Sequence, residues 1–390
     1  MRLKVAEHTS VHLAEGRVVL DDYLRHRQFE LTAPLARLCW EFRSFAETDE
    51  VLAELDVEER EVVWPVLRRL LDAGVLVAEG TPEHRAEQRL LAAWRNGGPA
   101  ARHYHYATRT FRDTPYADAD DQDRALAATA AADPPPPPLT RRREEGTAGV
   151  PLPPVSDQWA DGPDAPDAHG LPAAPGVAGG GARWGERSLR DVLLARRTTR
   201  RFHSRPVEAA RLGDLLAVLA GPVPGRPGPD QDGNLFKASP SAGARHPIEV
   251  YLHVVSVVGL EPGWYHYDAA DHVLEPLGPP WSAGEVVEAS GGQEWVGEAA
   301  VQLCHVATLE RIWWKYDTAR AYRMVQVDMG HLSQTAYLVA TAMELGVAFT
   351  AALRDESLES VLGLDRDREI VLGLTALGWP ADGGTGGLRS

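Results

Sequence analysis

The chain has 390 residues, a formal net charge of −16 and 44% hydrophobic residues, enough for two or three compact units with real cores. A balance this acidic excludes a broad electrostatic grip on nucleic acid. Its two cysteines, Cys39 and Cys304, lack metal-ligand spacing and argue against a disulfide scaffold, which fits a reducing cytoplasm. With no apolar run of about 18 residues and no signal-peptide h-region, a soluble cytoplasmic protein without membrane contact is expected.

Residues 1–80 read as a small domain. Val11 to Leu20 has the pattern of a short hairpin turning at Glu15-Gly16. Helical spacing places Leu35, Leu38 and Phe42 on one face of a helix over 34–45, and Val62, Val66, Leu67 and Leu70 on one face of another over 58–71. Thr48 is placed to cap a middle helix, 49–55. Gly74 stops the longer helix, and Val75-Leu76-Val77 follows as a strand. Strands, three helices and a closing strand predict a winged-helix-like unit. In an acidic protein such a unit binds a peptide or packs internally more readily than it reads DNA.

Residues 81–185 form a connecting region. From Tyr116 to Gly185 the composition turns to Pro and Gly, with a proline run from Pro134 to Pro138 and Gly179-Gly180-Gly181 near the end. Polyproline structure and coil with little core are expected, as a mobile linker or an arm around a neighbour. Ahead of it, Arg102-His103-Tyr104-His105-Tyr106 alternates histidines without a third ligand nearby, which predicts a strand edge and no metal site.

Residues 186–390 read as a mixed α+β domain. Ser188 and Asp191 suit a capping box for a helix with Leu189, Val192 and Leu193 on one face. A second helix spans 207–219 and ends at Gly221. Ile248 to Val258 is apolar and β-branched, hence a strand; 263–268, 299–307 and 369–376 are further strands. Leu332 to Leu345 is apolar on nearly all faces, a core or dimer helix ended by Gly346.

Chemistry concentrates in this last domain. Arg196-Arg197-Thr198-Thr199-Arg200-Arg201-Phe202 gathers cations and hydroxyls. Guanidinium forks suit a phosphate, although cations also favour helix C-termini. Ser239-Pro240-Ser241-Ala242-Gly243 lets backbone donors approach an anion or a flat ring closely. There is no Gly-x-Gly-x-x-Gly loop and no Ser-His-Asp constellation.

These two segments are followed, in order, by Gly263-Trp264-Tyr265-His266-Tyr267, by Lys315-Tyr316-x-x-x-Arg320-x-Tyr322-Arg323 and by Gly330-His331-x-x-Gln334. Together the five resemble the flavin-dependent nitroreductase superfamily, and within it the SagB-type azoline dehydrogenases of ribosomal-peptide maturation. The resemblance covers roughly residues 186–380. It implies an FMN-dependent nitroreductase-like fold, with Arg196, Arg197, Thr198 and Arg200 at the FMN phosphate and ribityl chain. Pro240, Ser241 and Gly243 would then lie along the isoalloxazine ring. Thr198 stands where Ser is usual and Asp317 where Gly is usual.

Lys315 and Tyr316 match the catalytic pair of that branch. Oxidising a thiazoline or oxazoline to the azole removes a hydride, to flavin N5, and a proton, to Lys315 with Tyr316 relaying it or orienting the ring. Oxygen would reoxidise the flavin. Arg320 and Arg323 would depress the lysine by like charge. Read without the resemblance, Lys315 is a solvated helix residue and Tyr316 a core aromatic. The implied partners are an azoline-containing precursor peptide, a cyclodehydratase and a second copy in a homodimer. Other readings are a different FMN-dependent peptide-tailoring enzyme, an NAD(P)H-fed nitro or quinone reductase, or a flavin-free scaffold. His331 is expected at the positive start of the apolar helix, Trp313 or Trp314 at the wall of the pocket, and Asp328 and Glu310 without evident partners.

Overall fold

The computed structural model describes residues 1–53, 55–112, 137–141, 146–156, 187–226 and 234–381, with Thr114, Asp121, Arg124 and Ala128. Pro134 to Pro136 of the proline run and Gly179-Gly180-Gly181 lie outside the described residues. The chain divides into two compact units, Met1–Tyr116 and Ala117–Ser390.

The first unit comprises β1 (Arg2–Val5), β2 (Thr9–Ala14), β3 (Arg17–Asp22), β4 (Arg27–Glu30), α1 (Ala33–Glu41), β5 (Ala46–Glu47), α2 (Thr48–Ala53), α3 (Val57–Ala73), β6 (Leu76–Ala78), α4 (Pro82–Ala93) and α5 (Gly98–Ala107). β1 pairs with β5 and β6 in one antiparallel sheet, and β2-β3-β4 form another. The hairpin turns at Glu15 and Gly16, both at positive φ, and Gly74, at φ +76°, ends α3. Leu3, Leu20, Phe42, Leu67, Leu70 and Val75 make the core. The unit continues past residue 80 because two later helices are bonded into it. Glu87 of α4 accepts from the Glu7 amide at 2.7 Å, and Arg102 of α5 donates to the Tyr23 hydroxyl at 2.8 Å and the Glu7 carbonyl at 3.0 Å. Residues 102–106 are therefore helical, not a strand edge. Pro99 in the first turn favours the helix, and ring contacts of His103 with Tyr23 and His105 with Trp94 account for an alternation that mimics a strand.

The second unit comprises β7 (Val150–Pro151), α6 (Leu189–Ala195), β8 (Phe202–His203), β9 (Val207–Glu208), α7 (Ala209–Ala220), β10 (Ile248–Val254), β11 (Val257–Val258), β12 (Gly263–Asp268), β13 (Val273–Gly278), α8 (Ala283–Ala289), α9 (Glu294–Gly297), β14 (Val301–Thr308), α10 (Leu309–Trp313), α11 (Ala321–Ala342), β15 (Gly346–Thr350), α12 (Asp355–Leu362) and β16 (Glu369–Pro380). An antiparallel sheet runs β15-β16-β14-β10-β12-β13-β7, with β8 also on β16. β10 and β12 are buried at every position, so the sheet is covered on both faces. Ile248, Val250, Leu252 and Val254 pack with residues of α7 and α11, while the intervening Tyr251 packs with Leu358 and Leu362 of α12. That alternation is the period of two a strand imposes.

Several boundaries differ from the sequence reading. Part of the connecting region joins this core: β7 adds a strand to β13 and Leu152 is buried. The strand expected over 248–258 stops at Val254, and β11 pairs separately, in parallel, with β9. Ser188 caps α6 as expected, accepting from the Asp191 amide at 3.2 Å. Of its three expected facing residues, however, only Val192 is buried, while Leu189 and Leu193 are exposed. The apolar helix starts at Ala321 rather than Leu332 and ends at Met343, so Gly330 and His331 lie in mid-helix; Gly346 opens β15, which the sequence reading lacked.

Candidate functional site

α11 is the spine that brings the two motif segments together. Near its middle it holds the Ser239–Gly243 segment: Thr335 accepts from Ser239 Oγ at 2.7 Å, and His331 Nδ1 lies 3.2 Å from the Pro240 carbonyl. Asp328 accepts from Ser241 Oγ at 2.5 Å and from the Ala242 amide at 3.2 Å. Farther along, Tyr337 receives the arginine segment. Its hydroxyl lies 3.3 Å from Thr198 Oγ1, and its ring sits under the Arg196 guanidinium at 5.5 Å. Arg200 lies over the Trp295 ring at 5.9 Å. Arg197 turns back instead, donating to the carbonyls of Leu194 and Arg196 at 2.9 and 2.7 Å, so it caps the end of α6.

After Ser241 the chain makes a 3-10 turn, Ala242–Ala244, with Gly243 at φ +58°. A Cβ on Gly243 would stand 2.6 Å from the Tyr316 hydroxyl and 2.7 Å from Lys315 Cδ. Lys315 Nζ donates to the Gly243 carbonyl at 3.3 Å. The Lys-Tyr pair occupies the turn after α10 rather than a solvated helix, with both amides bonded to the Ile312 carbonyl. Burial, then the Asp328 charge, raises the Tyr316 phenol above its ordinary value, partly opposed by Arg245. The cation acting on this phenol is thus Arg245.

α10 is anchored by Arg311, which is 2% exposed. It donates to the His246 carbonyl at 3.0 Å and the Pro138 carbonyl at 2.7 Å, and pairs with Glu249. Burial opposes the Glu249 charge, but Arg311 and His266 hold that carboxyl well below the usual range. Arg245 lies over the Trp314 ring at 4.5 Å, whereas Trp313 is exposed. Lys237, beside the same segment, is lowered to about 8 by burial.

Sequence reasoning missed Asp328, Arg245, Arg311 and Tyr337. Asp328 was seen but left without a partner; its partners lie on the turn 86 and 87 residues away. Glu310 pairs with Arg368 at 2.8 Å on the surface. Among the described residues no group of three or more His, Cys, Asp or Glu is placed to hold a metal ion, and no helix is long and apolar enough to cross a membrane.

The site lies within the part of the chain that known proteins share. Residues 193–379 match the nitroreductase family. Over 177 residues the chain is 33% identical to MJ1384 of Methanocaldococcus jannaschii, itself classed among the nitroreductases; the match covers 45% of this chain and 85% of that protein. The trifolitoxin-processing protein TfxB of Rhizobium leguminosarum bv. trifolii is 35% identical over 34% of this chain and 36% of its own length. The microcin B17-processing protein McbC of Escherichia coli is 30% identical over 34% of this chain and 51% of its own length. The chain thus spans about a third to a half of the length of these two peptide-processing relatives.

Proposed function

The chain belongs to the nitroreductase family, and from that premise we propose that it is an FMN-dependent oxidoreductase of the SagB type. It dehydrogenates thiazoline or oxazoline rings in a ribosomally made peptide to thiazoles or oxazoles. One observation carries this reading: Lys315 and Tyr316 both pack directly on Gly243, in the turn assigned to the flavin ring.

The residues present fit FMN. The space that a Cβ on Gly243 would take is held by the Tyr316 hydroxyl and Lys315 Cδ, so a glycine there lets the pair close on the turn. Arg196 and Arg200, over aromatic faces, and Thr198 suit a phosphate and its chain. Arg197 contributes by fixing the main chain around them. Pro240, Ser241 and Gly243 would flank the ring. When bound, FMN supplies a two-electron acceptor for the hydride, with molecular oxygen as the terminal oxidant. Lys315 takes the proton from the adjacent ring carbon and Tyr316 orients the substrate, so each azoline loses one hydride and one proton.

The trifolitoxin- and microcin-processing relatives favour a precursor peptide as substrate over a small quinone. An azoline must be made before it is oxidised, which calls for a cyclodehydratase as partner. The winged-helix-like first unit would hold the peptide. Gln326, Val327, Gly330, His331 and Gln334 form an exposed stripe on α11, the face proposed for the two-fold contact of a homodimer.

The test is an absorption spectrum with mass analysis of the heat-released ligand, followed by incubation with a thiazoline peptide. FMN and the loss of two hydrogens per ring support the proposal. A colourless protein that refuses added FMN overturns it. A flavoprotein that reduces nitroaromatics with NAD(P)H and leaves azolines unchanged replaces it with the reductase reading.

A further inference from the structure

Asp328 has no part in the roles assigned so far, yet it touches the site from behind. It sits on α11, 5% exposed, and receives both the Ser241 hydroxyl and the Ala242 amide. Ser241 Oγ in turn accepts from the His246 amide at 2.9 Å, so the carboxylate holds the start of the turn directly and its far end through Ser241. The next residue is Gly243, on which Lys315 and Tyr316 rest. Burial raises the Asp328 carboxyl above its ordinary value, partly opposed by the donors from Ser241 and Ala242.

We propose that Asp328 is the positioning residue of this site: it fixes the Ser241–Gly243 turn against Lys315 and Tyr316 and brings a negative charge to bear on the Tyr316 phenol, leaving Lys315 to take the proton. This rests on the azoline-oxidation reading for the word proton, but not for the geometry. The charged groups acting on the phenol are Asp328 from α11 and Arg245 from the turn segment, of opposite sign, with Lys315 alongside. His331, one turn on from Asp328, acts on the carboxylate itself. Of these, only Asp328 opposes ionisation of the phenol.

The side chain of Asn has nearly the shape of Asp and one carbonyl oxygen, so Asp328→Asn keeps an acceptor for Ala242 and a donor toward Ser241 Oγ while removing the charge. The experiment uses the full chain with tyrosines labelled with carbon-13 at Cζ. The Tyr316 resonance is the one absent from Tyr316→Phe, and it is followed as pH rises past about 10, the ordinary phenol midpoint. In Asp328→Asn the midpoint should fall below that of the wild type. In Ser241→Ala, which loosens the turn and leaves the charge, it should stay in place, and Asp328→Glu should restore the wild-type midpoint if the variant at Asn lowers it. An unmoved or higher midpoint in Asp328→Asn overturns the proposal, as does an equal fall in Ser241→Ala. No substrate is needed, so a failure of the azoline reading leaves this result standing, and a failure here leaves that reading intact.

Discussion

The Tyr316 hydroxyl stands 2.6 Å from the point where a Cβ on Gly243 would lie, closer than any side-chain carbon tolerates. Gly243 also holds φ +58°, a conformation that costs another residue about 1–2 kcal/mol. Gly243→Ala should therefore push Lys315 and Tyr316 out of place, lowering activity more than it lowers fold stability. The same substitution in a Tyr316→Phe background should do less further damage, because the nearest clashing atom has gone. Additive losses in the double variant would show that the pair and the turn are not in contact.

Lys315 donates to the Gly243 carbonyl at 3.3 Å from a turn whose amides are tied to Ile312. It is set by the backbone and not by the arginine segment. Lys315→Ala should keep FMN bound and lose ring oxidation about a hundredfold or more. Turnover at the wild-type rate would remove lysine from the role of base.

Of the second unit, β10, β12, β14 and β16 were legible from their apolar and aromatic residues and α7 from its bounding Gly221, whereas β13, β15, α8 and α12 went unread. The arginine segment stood out by composition, whereas Lys315 and Tyr316 stood out only through the family resemblance. What the sequence hid were partnerships across long separations. Asp328 looked unpaired because Ser241 reaches it only once α11 is packed under the turn. Arg311, four residues ahead of Lys315, carries no sequence signal of its own; only the fold pairs it with Glu249 and the His246 carbonyl. His331 was placed at a helix start because the turns from Ala321 onward mix polar and apolar residues, and an apolar run was taken for the whole helix. His103 and His105 alternate as in a strand, but Pro99 and the burial of Arg102 against Tyr23 make that segment helical.

The arginine segment divides its labour. Arg200 lies over Trp295 with its guanidinium toward the surface, whereas Arg197 is committed to the carbonyls of Leu194 and Arg196. Arg200→Ala should weaken FMN binding about ten- to a hundredfold, the worth of one or two charge-assisted bonds, and yield a flavin-poor protein. Arg197→Ala should lose less flavin and instead fray the end of α6. Titrating the two apoproteins with FMN by fluorescence checks this; equal losses would place Arg197 on the phosphate.

Acid should weaken the second unit through histidines buried in their neutral form. His305 is 0% exposed, its Nε2 bonded to Thr375 at 2.8 Å and its Nδ1 without a partner. Burial lowers it to about 3. His246 is lowered to about 3 as well, by burial first and then by the Lys237 charge. In the unfolded chain both return to about 6.5. Because the unfolded state then binds the proton first, stability is full above about pH 6.5 and is lost as pH falls toward 3, at about 1.4 kcal/mol per unit for each histidine. His305→Gln retains a partner for Thr375 and cannot titrate. Between about pH 6 and pH 5 it should lose less stability than the wild type, by roughly that amount per unit. Hydrogen exchange at the β14 amides, which reports this unit alone, measures the difference. Equal acid slopes in the two proteins would mean that His305 takes its proton without opening the sheet.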